Sequence, residues 1–201
     1  MSYLFLGFFT GLSLILVIGA QNIFVIEQGL KKQYIFLVCL ICSISDFLLI
    51  FLGIFLFQYL NNYFTPTVEL IFNILLLIFL LHFIWGKIKT KISETSFNVD
   101  IKTNNLPSIL VKTLGFTFLN PHVYSDTVFF LGNFSKSLSQ MDKYYFGAGA
   151  AISSFLFFFI LGYLSKYFSK YLKSVKVWKR INYLIILFMS ILALTVLMEI
   201  I

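Results

Sequence analysis

A long apolar segment in the second half of the chain is interrupted by FLNPHVYSDT, residues 118–127. Proline disfavours helical geometry in the residue before it and suits the first position of a new helix, and asparagine is a good N-cap. Asn120 and Pro121 therefore predict a break, followed by a half-helix that begins near the middle of the segment. The free N–H groups at such a start attract an anion such as a carboxylate. An ordinary proline kink with a hydrogen-bonded His122 is the structural alternative.

The first apolar segment contains a matching irregularity at GAQN, residues 19–22. This stretch places a flexible glycine and two amide side chains, Gln21 and Asn22, inside a charge-free run from about residue 3 to residue 26. Amide groups in hydrocarbon are favourable only when they are paired. Irregular segments at corresponding positions of two halves are typical of a transporter with its substrate site at the bilayer midplane.

Apolar segments dominate the whole chain, which has 201 residues, 60% of them hydrophobic and only 11% charged, and a mean hydropathy of +0.95. About a quarter of the residues of a soluble domain are charged, so this composition excludes a soluble protein. It predicts an all-α, polytopic membrane protein. Six segments are each long enough to cross about 30 Å of hydrocarbon. Their approximate bounds are 3–26, 33–60, 66–86, 108–134, 144–164 and 181–198.

A polar stretch at about 87–107 divides a single predicted transmembrane domain into two halves, about 1–86 and 108–201. Basic residues concentrate in alternate loops, at 31–32, in 87–107 and in 166–180. The positive-inside rule places these loops in the cytoplasm and both termini outside it. Because three spans per half give the halves opposite topologies, we predict six transmembrane helices in two inverted three-helix halves.

The excess of basic residues is explained by a membrane rather than by nucleic acid. The formal net charge is +7, from 15 lysines and arginines against eight acids. The basic residues lie in short loops between apolar spans, where anionic headgroups and topology account for them. We therefore predict the lipid bilayer, and no nucleic acid, as a partner. The spacing of the basic residues in 166–180 fits either an amphipathic interfacial helix or a plain basic loop, and both interpretations stay open.

Two carboxylates, Asp46 and Asp126, lie inside predicted spans, one in each half. A carboxylate at the bilayer centre costs about 2.5–3.5 kcal/mol, so each is expected to face a partner, a cavity or a substrate. His122 precedes Asp126 by four residues, which puts both on one helical face, where they can share a proton. The alternative is that both carboxyl groups have a structural role, either protonated or hydrogen-bonded between helices. The remaining acids lie at span edges or in loops: Glu27, Glu69, Glu94, Asp100, Asp142 and Glu199.

The helix around Asp46 is predicted to turn a small, polar face inward. Its neighbours at helical spacing are Cys39, Cys42, Ser43 and Gly53, whereas Phe, Leu and Ile occupy the opposite side. The C-x-x-C pattern, buried in a lipid-spanning helix, favours packing over metal or redox chemistry.

Small residues predict close helix contacts in two other spans. Gly7 and Gly11 are four apart, and residues 147–151 read GAGAA. We interpret His82, in the third span, as a packing residue.

Five stretches then carry a family resemblance: GLS at 11–13, GAQN at 19–22, QGL at 28–30, SD at 45–46 and NPHVYSDT at 120–127. With these, and over nearly its whole length, the sequence resembles the lysine/arginine exporter (LysE) family of bacterial amino acid exporters. The homoserine/threonine-type exporters usually have Pro-Gly-Pro-Asn where this chain has Gly-Ala-Gln-Asn, which favours the basic-amino-acid branch. One departure is Ser125, where the family commonly has leucine.

The resemblance implies a secondary transporter that exports L-lysine or L-arginine from the bacterial cytoplasm through the inner membrane. Moving one positive charge outward against the membrane potential costs about 2.3 kcal/mol per 100 mV, so we expect exchange with an inward proton. Asp46, Asp126 and His122 are the expected proton-coupling residues. The expected substrate site comprises Gln21, Asn22, Asp46, Asn120, Pro121, His122, Tyr124, Asp126 and Thr127.

Within this site the substrate carboxylate is expected at the half-helix start after Asn120 and Pro121. Gln21 and Asn22 would bind the α-ammonium group or line the gate. The two intramembrane aspartates would receive the cationic side chain or the coupling proton.

Several alternatives stay open. They are an exporter of neutral amino acids or other small metabolites, a divalent-metal exporter with Cys39, Cys42 and Asp46 as ligands, and an intramembrane aspartyl protease. The sequence has no G-x-S-x-G, H-E-x-x-H or glycine-rich phosphate motif, so we predict neither a soluble enzyme nor a cofactor. Homo-oligomerisation is also left open.

Overall fold

The computed structural model describes residues 2–16, 19–60, 65–89, 105–170 and 175–200. Within these ranges every regular element is a helix, which confirms the all-α prediction. The helices are α1 (Ser2–Ile15), α2 (Ala20–Lys31), α3 (Ile35–Leu60), α4 (Pro66–Lys89), α5 (Leu106–Phe118), α6 (121–135), α7 (Gln140–Ser169) and α8 (Val175–Ile200).

The lengths and composition of these helices suit a multi-pass membrane protein. Of the helices in the described ranges, four are individually long and apolar enough to cross a membrane: Ile35–Phe57, Pro66–Lys89, Gln140–Ser169 and Lys179–Met198. α1 and α2 pass the same test as a pair bent by 83°, so the described part of the chain has up to five candidate spans. α5 is a shorter apolar helix of 13 residues.

Each half begins with a broken helix followed by two long ones. In the first half the break separates Ile15 from Ala20, and in the second it separates Phe118 from Pro121. Both breaks are bridged in the same way, because a polar side chain beyond the break donates to the last carbonyl of the preceding helix. Asn22 Nδ2 donates to Ile15 O at 3.0 Å, and Tyr124 Oη donates to Phe118 O at 2.9 Å. These bonds satisfy carbonyls that a helix end leaves without a partner.

The two halves pack against each other reciprocally. The broken helix of the first half, α1 and α2, lies against α7, and the broken helix of the second half lies through α6 against α3. The middle helices α3 and α7 also contact each other, as do the last helices α4 and α8. Each helix of one half thus packs against a helix of the other half.

Glycines allow the close approach of α1 and α7. A Cβ atom on Gly149 would lie 2.8 Å from the backbone nitrogen of Phe8, and one on Gly11 would lie 2.9 Å from Ala150 Cα. A Cβ on Gly7 would overlap the backbone of Phe146. The predicted packing role of these small residues is confirmed.

The predicted inward face of α3 is also confirmed. Cys39, Cys42, Ser43 and Gly53 are buried together with Asp46. Cys39 Sγ donates to the carbonyl of Phe158 on α7 at 3.2 Å, which is a packing contact. Large apolar side chains occupy the exposed side of the helix: Phe36, Ile44, Phe47, Leu48 and Leu52.

One local expectation is corrected, and one of two alternatives is favoured. His82 is exposed rather than packed, because α4 turns its neighbour Phe83, together with Leu80, into the core instead. No separate amphipathic helix occurs in the described part of 166–180, where α7 continues through Ser169 and α8 begins at Val175; residues 171–174 lie outside the described ranges. Most of the predicted loop at 87–107 also lies outside them.

Candidate substrate site

The two broken helices meet at a cavity of about 450 Å³. This volume is within the range of small-molecule sites, which is about 300–1,000 Å³. Its wall also includes residues of α3, α4, α7 and α8. Most of the predicted site residues line it: Gln21, Asn22, Asp46, Asn120, His122, Asp126 and Thr127.

The break before α6 has the predicted cap. Asn120 is 8% exposed, and its Oδ1 accepts a hydrogen bond from the backbone nitrogen of His122 at 3.1 Å. Pro121 is the first residue of α6, as expected from its fixed backbone angle. An asparagine side chain therefore holds the helix start at the edge of the cavity.

A π-helical stretch carries the carboxylate of the second half. α6 changes from α geometry at Pro121–Tyr124 to π geometry at Ser125–Phe130 and back to α geometry at Leu131–Ser135. π-helical turns are rare and occur frequently at functional sites. This one contains Asp126 and Thr127, which both face the cavity.

Close packing of α3 holds the π-helical stretch in place. A Cβ atom on Gly53 of α3 would lie 2.5 Å from the carbonyl oxygen of Val128. The missing side chain lets the π-helical backbone lie directly on α3, the helix that carries Asp46.

Asp46 is the most deeply buried carboxylate on the cavity wall within the described residues. It is 5% exposed, and its Oδ2 accepts a hydrogen bond from Ser154 Oγ at 2.8 Å. The serine lies on α7, so this bond joins the two halves. Asp126 is half-buried on the same cavity. The structure thus places both aspartates on the wall of one cavity, whereas the sequence predicted only that each faces a partner, a cavity or a substrate.

The two amide residues of the first break both line the cavity, but they differ in their hydrogen bonds. Gln21 is 7% exposed, and its Nε2 has no hydrogen-bond partner within the described ranges. Asn22 uses its Nδ2 to bridge the break. The Nε2 atom of Gln21 is itself buried, whereas Asn22 has a structural bond already formed.

Among the predicted residues whose side chains are described, Tyr124 does not line the cavity. The hydroxyl of Tyr124 bridges the break between α5 and α6. The side chain of Pro121 lies outside the part of the structure that can be described, so only its place at the helix start is known. Contact of Tyr124 and Pro121 with substrate stays a prediction.

Two features of the structure have no counterpart among the predicted residues. Ser154, the partner of Asp46, lies 108 positions further along the chain, and no local spacing indicates the pair. Glu27, expected at a span edge, is instead 1% exposed and forms ion pairs with Lys31 and Lys87. The four-residue spacing of Glu27 and Lys31 was a visible signal, whereas the contact with Lys87 depends on the packing of α2 against α4.

The ligand set considered for a divalent metal does not form. Among the residues described, no group of three or more His, Cys, Asp or Glu side chains is placed to hold a metal ion. Cys39 and Cys42 are buried in the contact of α3 with its neighbours.

Comparison with known proteins gives a consistent match. The family model described as LysE type translocator matches residues 12–200. The arginine exporter proteins ArgO of Salmonella paratyphi C (strain RKS4594) and Salmonella choleraesuis (strain SC-B67) are each 35% identical over 186 residues, which cover 92% of this chain and 88% of theirs. ArgO of Salmonella typhimurium (strain LT2) is 34% identical over the same shares. No solved structure gives a significant match.

Proposed function

Because the chain belongs to the LysE type translocator family, we propose that it exports arginine from the bacterial cytoplasm through the inner membrane. The observation that carries this proposal is the cavity lined by two carboxylates, Asp46 and Asp126, between the halves of an apolar helical protein. A cationic side chain offsets the cost of burying these carboxylates, and a neutral ligand does not. The similar proteins named arginine exporters favour arginine over lysine as the main substrate.

The polar groups of the cavity suggest how arginine is bound. A guanidinium has five donors and forms paired hydrogen bonds with carboxylates, so we place it between the two aspartates. The α-carboxylate then lies near the start of α6, which Asn120 caps. His122, on the same wall, lies one helical turn before Asp126 and completes the polar surface.

We propose that export is coupled to inward movement of protons. A buried aspartate releases arginine most readily when it becomes protonated, because protonation removes the charge that holds the guanidinium. Exchange of one proton for one arginine cation moves no net charge, so the membrane potential does not oppose it. Asp46 is the proposed exchange group, since it is the more buried of the two aspartates and Ser154 can hydrogen-bond its carboxyl in either protonation state.

Inverted membrane vesicles test the coupling. We expect an acidic vesicle lumen to increase the initial rate of labelled arginine uptake several-fold, because the lumen corresponds to the outside of the cell. A protonophore should remove this increase, and clamping the membrane potential at zero should leave it in place. Uptake that is indifferent to the pH gradient would show that protons are not exchanged for arginine.

Alternating access is proposed to follow from a two-fold arrangement of the halves. In this scheme the broken helices, α1 with α2 and α5 with α6, each count as one crossing of a single transmembrane domain. The total is then six crossings in two inverted halves. The reciprocal packing of the halves and the matching hydrogen bonds across the two breaks support this arrangement. Rocking of one half against the other then exposes the cavity to either side.

Thiol labelling tests the orientation. Cys39 and Cys42 are first replaced. A single cysteine is then placed at Ser2 in one variant and in a short extension added after the last residue in another, so that the two ends of the chain are probed separately. We expect both ends to react with a membrane-impermeant reagent added outside intact cells, because six crossings and cytoplasmic lysine loops place them there. Reaction of only one end from outside would indicate an odd number of crossings and would contradict the six-crossing arrangement.

A further inference from the structure

Glu27 is the centre of a buried ion cluster at the lysine-rich end of the bundle. Its Oε1 is shared by the ammonium groups of Lys31 and Lys87, and its Oε2 has no hydrogen-bond partner within the described ranges. Lys87 comes from α4, so its ion pair joins α4 to α2. A fully buried carboxylate with one unused oxygen retains the capacity to accept further hydrogen bonds.

A layer of three phenylalanine rings lies, in chain order, between charged residues and cavity-lining residues. The ring centroids of Phe24 and Phe83 lie 5.2 and 5.0 Å from that of Phe116, and all three side chains are buried. The same sequence of cavity residue, phenylalanine and charged residue occurs on three helices. The sets are Asn22, Phe24 and Glu27 on α2; Leu80, Phe83 and Lys87 on α4; and Lys112 and Phe116 on α5 with Asn120 in the break that follows it.

The charged groups and the rings are in contact. Lys87 Nζ lies 5.3 Å from the centroid of the Phe83 ring, and Lys112 Nζ lies 6.0 Å from it. Both distances allow a cation–π attraction. The ammonium of Lys87 therefore interacts with the Glu27 carboxylate and with a ring of the layer. Moving Lys87 away would remove an ion pair between α2 and α4 and one attraction that holds Phe83.

We propose that Glu27 is a second binding site for the cationic side chain of the substrate, which a guanidinium occupies in exchange for the Lys87 ammonium. The inference rests on the proposed function, because it concerns the route by which arginine reaches the cavity. The site lies on the lysine-rich side of the phenylalanine layer. Occupation of the site releases Lys87 from α2 and lets the layer open toward the cavity.

The geometry of the carboxylate favours a guanidinium over an ammonium. Two parallel N–H groups of a guanidinium can serve both carboxylate oxygens at once, whereas the resident lysines both contact Oε1. A lysine substrate would offer only an ammonium group, which Lys31 and Lys87 already supply. Glu27 thus binds arginine more tightly than lysine before the substrate reaches Asp46.

Arginine uptake by inverted vesicles, measured over a range of concentrations, tests the proposal. We expect Glu27→Gln to raise the half-saturating arginine concentration about tenfold, which corresponds to the loss of one charge-assisted interaction, and to raise that for lysine less. Lys87→Met removes the competing ammonium while Lys31 still pairs with Glu27, so we expect it to lower the half-saturating arginine concentration. Asp142→Asn is the matched control, because this acid lies at the exposed start of α7 beside Ser139, and it should change neither value.

The double variant Glu27→Gln/Lys87→Met separates binding from a structural role. If the ion pair only holds the helices together, removing both charges should restore the wild-type half-saturating concentration. If Glu27 binds substrate, the value stays raised. A wild-type value in Glu27→Gln, or its restoration in the double variant, or no decrease in Lys87→Met, would overturn the proposal while leaving arginine export intact. Absence of arginine uptake by the wild-type protein would instead overturn the proposed function, and this inference with it.

Discussion

Asp46→Asn is expected to reduce arginine export at least about 100-fold. The substitution keeps the size of the side chain and an oxygen that can accept the hydrogen bond from Ser154, so it removes the charge with little change in packing. A buried carboxylate that loses its charge can no longer compensate a bound guanidinium, and such a loss costs about 3–5 kcal/mol, equivalent to a factor of about 100 or more. The measurement is efflux of labelled arginine from preloaded cells.

Asp142→Asn provides the control for this experiment as well. Its carboxylate accepts a hydrogen bond from Ser139 at the start of α7, away from the cavity wall, so efflux should stay at the wild-type rate. Gel filtration of the purified variants should show that Asp46→Asn is folded. If folded Asp46→Asn exports arginine at the wild-type rate, the proposed role of the buried carboxylate is wrong.

Gly149→Leu is expected to prevent the first helix from packing, with loss of most of the folded protein. A Cβ atom at this position would lie 2.8 Å from Phe8 N and 2.9 Å from the carbonyl carbon of Leu4. Both are backbone atoms of α1, so neither can move aside without displacing the helix. Overpacking usually costs about 1–3 kcal/mol and occasionally more, and we expect a value at or above the top of this range. The midpoint of thermal unfolding in detergent measures the effect.

Gly86→Ala is the matched control, because a Cβ atom at Gly86 meets no atom within 4 Å. Gly86 lies inside α4, where alanine is more favourable than glycine by about 0.5–1 kcal/mol, so its unfolding midpoint should be unchanged or slightly higher. Equal unfolding midpoints for Gly149→Leu and the wild type would show that α1 and α7 do not depend on their close contact.

The local features of the fold were accessible from the sequence because each follows from a short-range rule. The break at Asn120 and Pro121 follows from the backbone preferences of the two residues, and the cap found there is the one predicted. The buried face of α3 around Asp46 follows from helical periodicity. In both cases the chemistry of a few neighbouring residues determines the structure.

The features that the sequence did not reveal depend on contacts between distant helices. Burial of Glu27 follows from the position of α4, which brings in Lys87 from 60 residues away. The pairing of Asp46 with Ser154 needs α3 and α7 to meet at one register. The π-helical stretch around Asp126, which packs closely on Gly53 of α3, was not predicted from the sequence either.

Competition for arginine uptake into inverted vesicles tests the central claim most directly. Vesicles that contain the protein should accumulate labelled arginine saturably, and an excess of unlabelled arginine should block this uptake, whereas an excess of leucine or of cadmium ions should not. Vesicles that contain Asp46→Asn at the same protein level should accumulate no more than vesicles without the protein. Equal uptake with and without the wild-type protein, or a block by leucine as strong as that by arginine, would contradict the assignment of this cavity to a cationic amino acid.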